Sequence, residues 1–266
     1  MWIVLGLGLV VGIILALTGA GGGILAVPLL VFGIRMEVAQ AGPIGLLAVG
    51  MAAALGAVLG LREGIVRYRA AMLIAASGML LSPLGLWLAH RLDNRSLSVL
   101  FAMILLLVAF RTFRQVTRPP VAVPVNVHSL HPCKRDNATG RFIWTSNCVR
   151  ALALSGIVAG LLSGLLGVGG GFVMVPALQR YTDLVMRSVV ATSLAVIALV
   201  SVTGVVTSAA TGGMAWSVAI PFSAGALAGM LGGRLVSARL AGPHLQISFA
   251  VVSAAVAIGM IVKSAF

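Results

Sequence analysis

Long apolar stretches separated by short charged clusters make up most of the chain. The apolar stretches in the first half are 2–34, 38–61, 70–89 and 96–110, and those in the second half are 151–178, 188–210, 216–236 and 245–262. A helix needs about 20 apolar residues to cross the hydrocarbon core of a bilayer. The pattern therefore predicts an all-α integral membrane protein with about eight transmembrane helices, four in each half.

The first apolar stretch of each half contains the same glycine motif. Each motif residue recurs 148 positions later, as in the pairs Gly21 and Gly169, Gly22 and Gly170, Gly23 and Gly171, and Pro28 and Pro176. In a helix interior Gly costs about 1 kcal/mol and Pro about 3 kcal/mol relative to Ala. The first helix of each half is therefore predicted to break at the glycines, and matching breaks in two repeats are typical of transporter binding sites.

Three regions follow from this duplication. We predict a first transmembrane repeat at 1–114, a polar central loop at 115–148 and a second transmembrane repeat at 149–266. With one crossing for each apolar stretch, both termini and the central loop share the face that carries more Lys and Arg, which predicts that this face is cytoplasmic. If each glycine break is instead a re-entrant hairpin, each half has an odd number of crossings and the repeats are inverted. The sequence leaves both topologies open.

The composition excludes a soluble protein. The chain is 60% apolar and 9% charged, with a mean hydropathy of +1.14, whereas soluble domains contain about 25% charged residues. The net charge of +13 comes from basic residues that border the apolar stretches, as in membrane-protein loops. We therefore expect the lipid bilayer as a partner and no nucleic acid.

The polar central loop holds the only two cysteines. If the loop is cytoplasmic, Cys133 and Cys148 stay reduced, and no disulfide is expected. His128 and His131 add the residue types of a zinc site, but their spacing from Cys133 matches no standard zinc pattern. We predict a solvated loop with no metal and no cofactor.

The glycine motifs resemble those of a known transporter family. The segments Gly19-x-Gly21-Gly22-Gly23-x4-Pro28 and Gly167-x-Gly169-Gly170-Gly171-x4-Pro176, together with Ala191-Thr192-Ser193-Leu194, resemble the TauE/SafE family of membrane permeases. The resemblance implies a multi-pass permease of the bacterial cytoplasmic (inner) membrane that exports a small sulfur-containing anion such as sulfite or an organosulfonate. One departure is that Pro43-Ile44-Gly45 stands where the second half has Ala191-Thr192-Ser193, which predicts an asymmetric site.

Helix ends supply the candidate anion-binding groups. A helix that restarts at Gly22 or Gly170 exposes unpaired N–H groups and the positive end of its dipole, and glycine allows an oxyanion to approach the backbone. The predicted substrate-binding backbone is that of Gly21, Gly22, Gly23, Gly169, Gly170 and Gly171. The alternative is that these glycines only let helices pack closely.

Four polar side chains are further candidates for substrate binding. The hydroxyls of Thr192 and Ser193 are predicted donors to the anion, and their alternative is a hydrogen bond to a carbonyl one turn earlier. Gln40 is the nearest polar counterpart in the first half, and its alternative is an interfacial side chain. Thr18 is a weaker candidate, because hydroxyls in membrane helices often bond neighbouring helices.

Three functions are compatible with broken helices in a membrane. The prediction is a secondary carrier for a small inorganic or organic anion, and the first alternative is a passive anion channel. An intramembrane enzyme would need a nucleophile with a base, or metal ligands, within the spans. The apolar stretches contain no Cys and no mid-span carboxylate, so we do not expect an enzyme. A homodimer is left open.

Overall fold

The computed structural model describes residues 1–19, 21–117, 133, 145–210, 212, 214–240 and 243–265. Within these ranges it contains ten α-helices. They are α1 (Trp2–Thr18), α2 (Gly21–Gly33), α3 (Val38–Arg62), α4 (Tyr68–Arg91), α5 (Asn94–Thr117), α6 (Ser146–Leu166), α7 (Gly171–Tyr181), α8 (Met186–Ala210), α9 (Trp216–Leu240) and α10 (Pro243–Ala265).

The helices have the length and composition of membrane spans. Among the described residues, six helices are long and apolar enough to cross a bilayer: α3, α4, α5, α6, α8 and α9. The all-helical class predicted from the hydrophobic pattern is confirmed. Both predicted breaks are also present, since α1 ends just before the first glycine triplet and α6 ends just before the second.

At each break the chain reverses direction. A β-carbon added at Gly22 would lie 2.6 Å from the Cα of Leu15, and one added at Gly33 would lie 2.6 Å from Leu7 Cδ1. Positions further along α2 therefore contact earlier positions of α1, and the two helices are antiparallel. We call this pair the first hairpin.

The second half forms an equivalent hairpin from α6 and α7. Near its closed end, a β-carbon at Gly170 would lie 2.6 Å from the carbonyl oxygen of Ala159. At its open end, the N–H of Cys133 donates to the carbonyl of Tyr181 at 3.1 Å, and Cys133 is bonded to Cys148 near the start of α6. The end of α7 thus returns to the start of α6.

The two halves pack with the same contacts. Gly12 of α1 lies against the carbonyl of Ala226 in α9, and Gly160 of α6 lies against the carbonyl of Gly78 in α4. Gly160 lies 148 positions after Gly12, and Gly78 lies 148 positions before Ala226. The duplication seen in the sequence therefore extends to helix packing, with α1 on α9 equivalent to α6 on α4.

Paired contacts also fix the relative directions of the helices. A β-carbon at Gly50 would lie 2.7 Å from Ser201 Cβ, and one at Gly60 would lie 3.1 Å from Ala191 Cβ, so α3 and α8 are antiparallel. Because α3 and α8 occupy equivalent places in the two repeats, the repeats run in opposite directions.

One end of the bundle is marked by ion pairs. Glu63, which follows α3, pairs with Arg234 near the end of α9 and with Arg187 near the start of α8, the latter at 3.6 Å. By the helix directions, α5 ends and α6 begins at this end, which we call the linker end. The opposite end, where α1 begins and α10 finishes, is the terminal end.

This arrangement differs from the expectation that the termini and the central loop share one face. That expectation assumed one crossing for each apolar stretch. Each hairpin instead returns to the end of the bundle from which it started, and α3, α4 and α5 then run from one end of the bundle to the other. The start of α1 and the end of α5 therefore lie at opposite ends of the bundle.

The cysteines also differ from expectation. Cys133 and Cys148 form a disulfide with their Cα atoms 4.9 Å apart, a separation usual for such bonds. The expectation that no disulfide forms is therefore wrong for this structure, in which Cys133 lies beside Cys148 of α6 although the two are 15 positions apart in the sequence. His128 and His131 lie outside the described residues.

Candidate anion site at the hairpin tips

The closed ends of the two hairpins meet inside the bundle. We call residues 18, 19 and 21–23 the first tip and residues 166–171 the second tip. A β-carbon at Gly23 would lie 2.7 Å from the carbonyl oxygen of Val168 and 3.1 Å from Val49 Cγ1. Val49 is near the middle of α3, so the two glycine motifs face each other at mid-depth.

Thr18 closes the first tip. Gly19 adopts a left-handed conformation with φ of 75° and donates its N–H to the carbonyl of Leu15, which caps α1. Thr18 donates its hydroxyl to the carbonyl of Ile14 at 2.7 Å and accepts the N–H of Gly22 at 3.2 Å. The predicted candidate Thr18 therefore supplies an acceptor for an amide at the start of α2 that has no partner within the helix.

The second tip needs glycine at three positions for its backbone. Gly167, Gly169 and Gly170 have φ values of 69°, 76° and 67°. A left-handed conformation costs a residue with a β-carbon about 1–2 kcal/mol. Gly167 donates its N–H to the carbonyl of Ser163 at 2.9 Å and caps α6, in the same way that Gly19 caps α1.

Five consecutive amides of the second tip remain available. The N–H groups of Val173 and Met174 already donate to the carbonyl of Gly170. The preceding amides, from Val168 to Phe172, have no acceptor among the described residues. Phe172 itself is buried. Since a helix N-terminus carries a partial positive charge, these amides form a candidate binding site for an anion.

Glycines of α3 let the second tip approach closely. A β-carbon at Gly45 would lie 3.1 Å from the carbonyl oxygen of Gly167, and one at Gly42 would lie 3.4 Å from its Cα. In the other repeat, the position equivalent to Gly42 is Val190, which packs against Gly19. The departure at Pro43-Ile44-Gly45 therefore makes room for the second tip.

A small cavity borders the second tip between α3, α4 and α6. It is lined by Val38, Ala39, Gly42, Pro43, Leu46, Leu86, Ala89, Gly164, Leu165 and Gly167. The lining is apolar apart from backbone groups, so the cavity offers space beside the tip but no charged side chain.

The remaining predicted side chains lie in different places. Thr192 is fully buried and accepts the N–H of Arg67 at 3.1 Å, which ties α8 to the start of α4. Ser193 donates its hydroxyl to the carbonyl of Val190 at 2.8 Å, which was the alternative weighed for it. Gln40 is exposed at the start of α3. The described contacts at the tips thus involve the glycines and Thr18.

Ser201 is a polar residue at the tips that the sequence reading did not single out. It is 2% exposed, and its Oγ is 3.4 Å from the place where a β-carbon would stand at Gly169. A comparison of the repeats could have found it, because the equivalent position 148 residues earlier is Ala53. The two repeats therefore differ in the side chain that lies beside the second tip.

Comparison with known proteins places this architecture in a family. The model of the family described as "Sulfite exporter TauE/SafE" matches residues 4–260. The chain belongs to this family. A probable membrane transporter protein of Xylella fastidiosa (strain 9a5c) is 29% identical over 267 residues, covering 98% of this chain and 95% of the relative.

A second relative agrees with the first. The probable membrane transporter protein YunE of Bacillus subtilis (strain 168) is 27% identical over 240 residues, covering 87% of this chain and 85% of YunE. No solved structure matches the chain. With its apolar helices, this TauE/SafE member is a multi-pass membrane transporter.

Proposed function

We propose that this TauE/SafE protein is a secondary carrier that exports a small sulfur-containing oxyanion, such as sulfite or an organosulfonate. The observation that carries the proposal is the run of amides at 168–172, which have no acceptor within the described ranges and begin α7 opposite the first tip. Backbone amides at a helix start hold an oxyanion without a buried Lys or Arg. The family description supports sulfite as the first anion to test.

Dense packing around the tips favours a carrier over a passive channel. Gly23, Val168 and Val49 are buried and in mutual contact at mid-depth. An anion reaches the second tip only when the surrounding helices move apart, and movement around a fixed site is the basis of alternating access. A channel would require a continuous open path past the same residues.

We further propose that each repeat crosses the membrane three times and contributes one re-entrant hairpin. The crossings are α3, α4 and α5 with their counterparts α8, α9 and α10, while the two hairpins enter from opposite faces. Among the described basic residues, Arg35, Arg91, Arg95 and Lys263 then lie at the terminal end, and the other ten lie at the linker end. The positive-inside bias places the linker end in the cytoplasm and both termini outside.

Flux measurements in proteoliposomes test the transport proposal. Vesicles containing the purified protein are loaded with sulfite or sulfoacetate, and efflux is compared with that from protein-free vesicles. We expect protein-dependent, saturable efflux of at least one sulfur oxyanion. Absence of flux for every sulfur oxyanion tested would contradict the proposal, and unitary currents in a planar bilayer would establish the channel instead.

A further inference from the structure

Ser201 carries a buried hydroxyl with no partner in the described part of the chain. Its Oγ is solvent-inaccessible and makes no hydrogen bond there. Hydroxyls inside helices usually bond to a carbonyl three or four residues earlier, and Ser193, Thr203 and Thr207 of the same helix do so. Burying a hydroxyl without a partner is unfavourable, so this group is poised for a ligand that is not part of the protein.

The position of Ser201 directs the hydroxyl at the second tip. Its Oγ is 3.2 Å from the place where a β-carbon would stand at Gly50 and 3.4 Å from the corresponding place at Gly169. The hydroxyl therefore lies between α3 and the unpartnered amides that begin α7. Gly50 and Gly169, which have no side chain, let Ser201 pack closely against both α3 and the second tip.

The first tip has no residue equivalent to Ser201, and it has a side-chain acceptor that the second tip lacks. The position equivalent to Ser201 in α3 is Ala53, and the position equivalent to Thr18 in α6 is Leu166. Thr18 accepts an amide of the first tip, whereas the apolar side chain of Leu166 cannot do so for the second tip. Thr18 thus satisfies one amide of the first tip, whereas no described side chain accepts an amide of the second tip.

We propose that the anion binds at the second tip only, where it accepts hydrogen bonds from the amides that begin α7 and from the hydroxyl of Ser201. The enclosure by α3 and the first tip makes the site selective for a compact oxyanion, with sulfite preferred to sulfonates that carry a large substituent. This inference rests on the proposed transport function and adds its binding residue and its asymmetry.

The test compares two serine-to-alanine variants in the proteoliposome assay. Ser201→Ala removes the hydroxyl at the tip. Ser223→Ala is the matched control, because Ser223 of α9 is also buried and also carries an unpartnered hydroxyl among the described residues. Sulfite efflux is measured against sulfite concentration, so that KM and maximal flux are obtained separately.

We expect Ser201→Ala to raise KM by about tenfold or more, as for loss of a hydrogen bond to a charged ligand. Ser223→Ala should retain the wild-type KM. A merely structural role for Ser201 would lower maximal flux, by reducing the amount of active protein, and would leave KM unchanged. That result, or an equal rise in KM for Ser223→Ala, would overturn the inference.

The outcome for the wild type separates the two proposals. If the wild-type protein exports no sulfur oxyanion, the proposed function fails. If it exports sulfite and Ser201→Ala has the wild-type KM, the proposed function stands and the role of Ser201 is wrong. Inhibition of sulfite transport by added sulfonates tests the compact site. Weaker inhibition by bulky sulfonates than by small ones supports it, and equal inhibition contradicts it.

Discussion

Gly23 at the start of α2 faces the carbonyl oxygen of Val168 in the opposite hairpin, with no room for a β-carbon between them. This contact joins the two repeats at mid-depth. Neighbouring glycines of the repeated motif therefore have different contacts. Gly23 contacts the other hairpin, whereas Gly22 contacts Leu15 of its own hairpin. Only the contact of Gly23 with the other hairpin depends on how the two repeats pack together.

A bulky side chain at Gly23 should block transport. In Gly23→Leu the new side chain overlaps the Val168 carbonyl and Val49, and overpacking of this kind costs about 1–3 kcal/mol. We expect the protein to insert and to lose flux by about tenfold or more, because the tips are forced apart. The measurement is sulfite efflux normalised to the amount of protein in the vesicles.

Gly6→Leu and Gly232→Leu are the matched controls for this variant. Both are helical glycines, and a β-carbon at either position would meet no atom within 4 Å. Both variants should keep wild-type flux. Wild-type flux in Gly23→Leu would show that close contact between the tips is not required for transport.

Substitutions at Gly22 and Gly170 are less informative. A β-carbon at Gly22 would overlap Leu15, and one at Gly170 would overlap the Ala159 carbonyl. Gly170 also has a left-handed backbone. A loss of transport in either variant follows from a distorted hairpin alone, so it does not separate anion binding from close helix packing.

The sequence predicted the helical breaks but not the direction of the chain after them. Gly and Pro disfavour a continuous helix whether the chain continues or reverses, and only the contact of Gly22 with Leu15 decides for reversal. The asymmetry at Pro43-Ile44-Gly45 was visible, but its reason required seeing Gly167 against Gly45.

Hydroxyl roles were the least predictable part of the site. Four hydroxyl residues lie in apolar helices near the site, and their residue types alone do not distinguish their roles. They are Thr18, Thr192, Ser193 and Ser201. Their partners differ: Thr18 accepts an amide of its own hairpin, Thr192 accepts the Arg67 amide, Ser193 bonds within its helix, and Ser201 has no described partner. Such differences depend on side-chain geometry that the residue type does not encode.

Replacing Thr192 should affect stability and not substrate affinity. Thr192→Val keeps the side-chain shape but leaves the half-buried Arg67 N–H without its acceptor, which costs about 1 kcal/mol. We expect a lower thermal unfolding temperature in detergent and an unchanged KM for sulfite. Ser193→Ala, which removes a bond within one helix turn, should change unfolding less. A tenfold rise in KM for Thr192→Val would instead restore Thr192 as a ligand of the anion.

Neutralising Glu63 should strengthen anion attraction at the linker end. Glu63 pairs with Arg187 and Arg234, and the Arg187 side chain is 76% exposed. In Glu63→Gln both guanidinium groups lose this negative partner. We expect KM for sulfite entering from the linker end to fall by about twofold to fivefold at low salt, since an exposed ion pair is worth about 0.2–1 kcal/mol.

Salt dependence and a second acidic residue control this result. The effect should disappear at high ionic strength, where exposed charges are screened. Glu37→Gln makes the same charge change at the terminal end and should leave KM for entry at the linker end unchanged. A decrease in KM that persists in high salt, or one that Glu37→Gln reproduces, would contradict local electrostatic attraction.

The orientation of the bundle can be read by cysteine labelling in intact cells. Asn147→Cys at the linker end and Asp93→Cys at the terminal end place thiols at exposed positions, in a background where Cys133 and Cys148 are replaced by Ser. Because basic residues concentrate at the linker end, we expect a membrane-impermeant maleimide to label Asp93→Cys in intact cells. Asn147→Cys should react only after permeabilisation.

The disulfide favours the opposite orientation, which makes this labelling decisive. The cytosol keeps thiols reduced, so a linker end in the cytoplasm requires Cys133 and Cys148 to be free thiols in growing cells despite their proximity. Labelling of Asn147→Cys in intact cells would place the linker end outside, where the disulfide is stable. The charge asymmetry arises from several described loops whereas the disulfide joins two positions at one end of the bundle, and for that reason we expect charge to determine insertion.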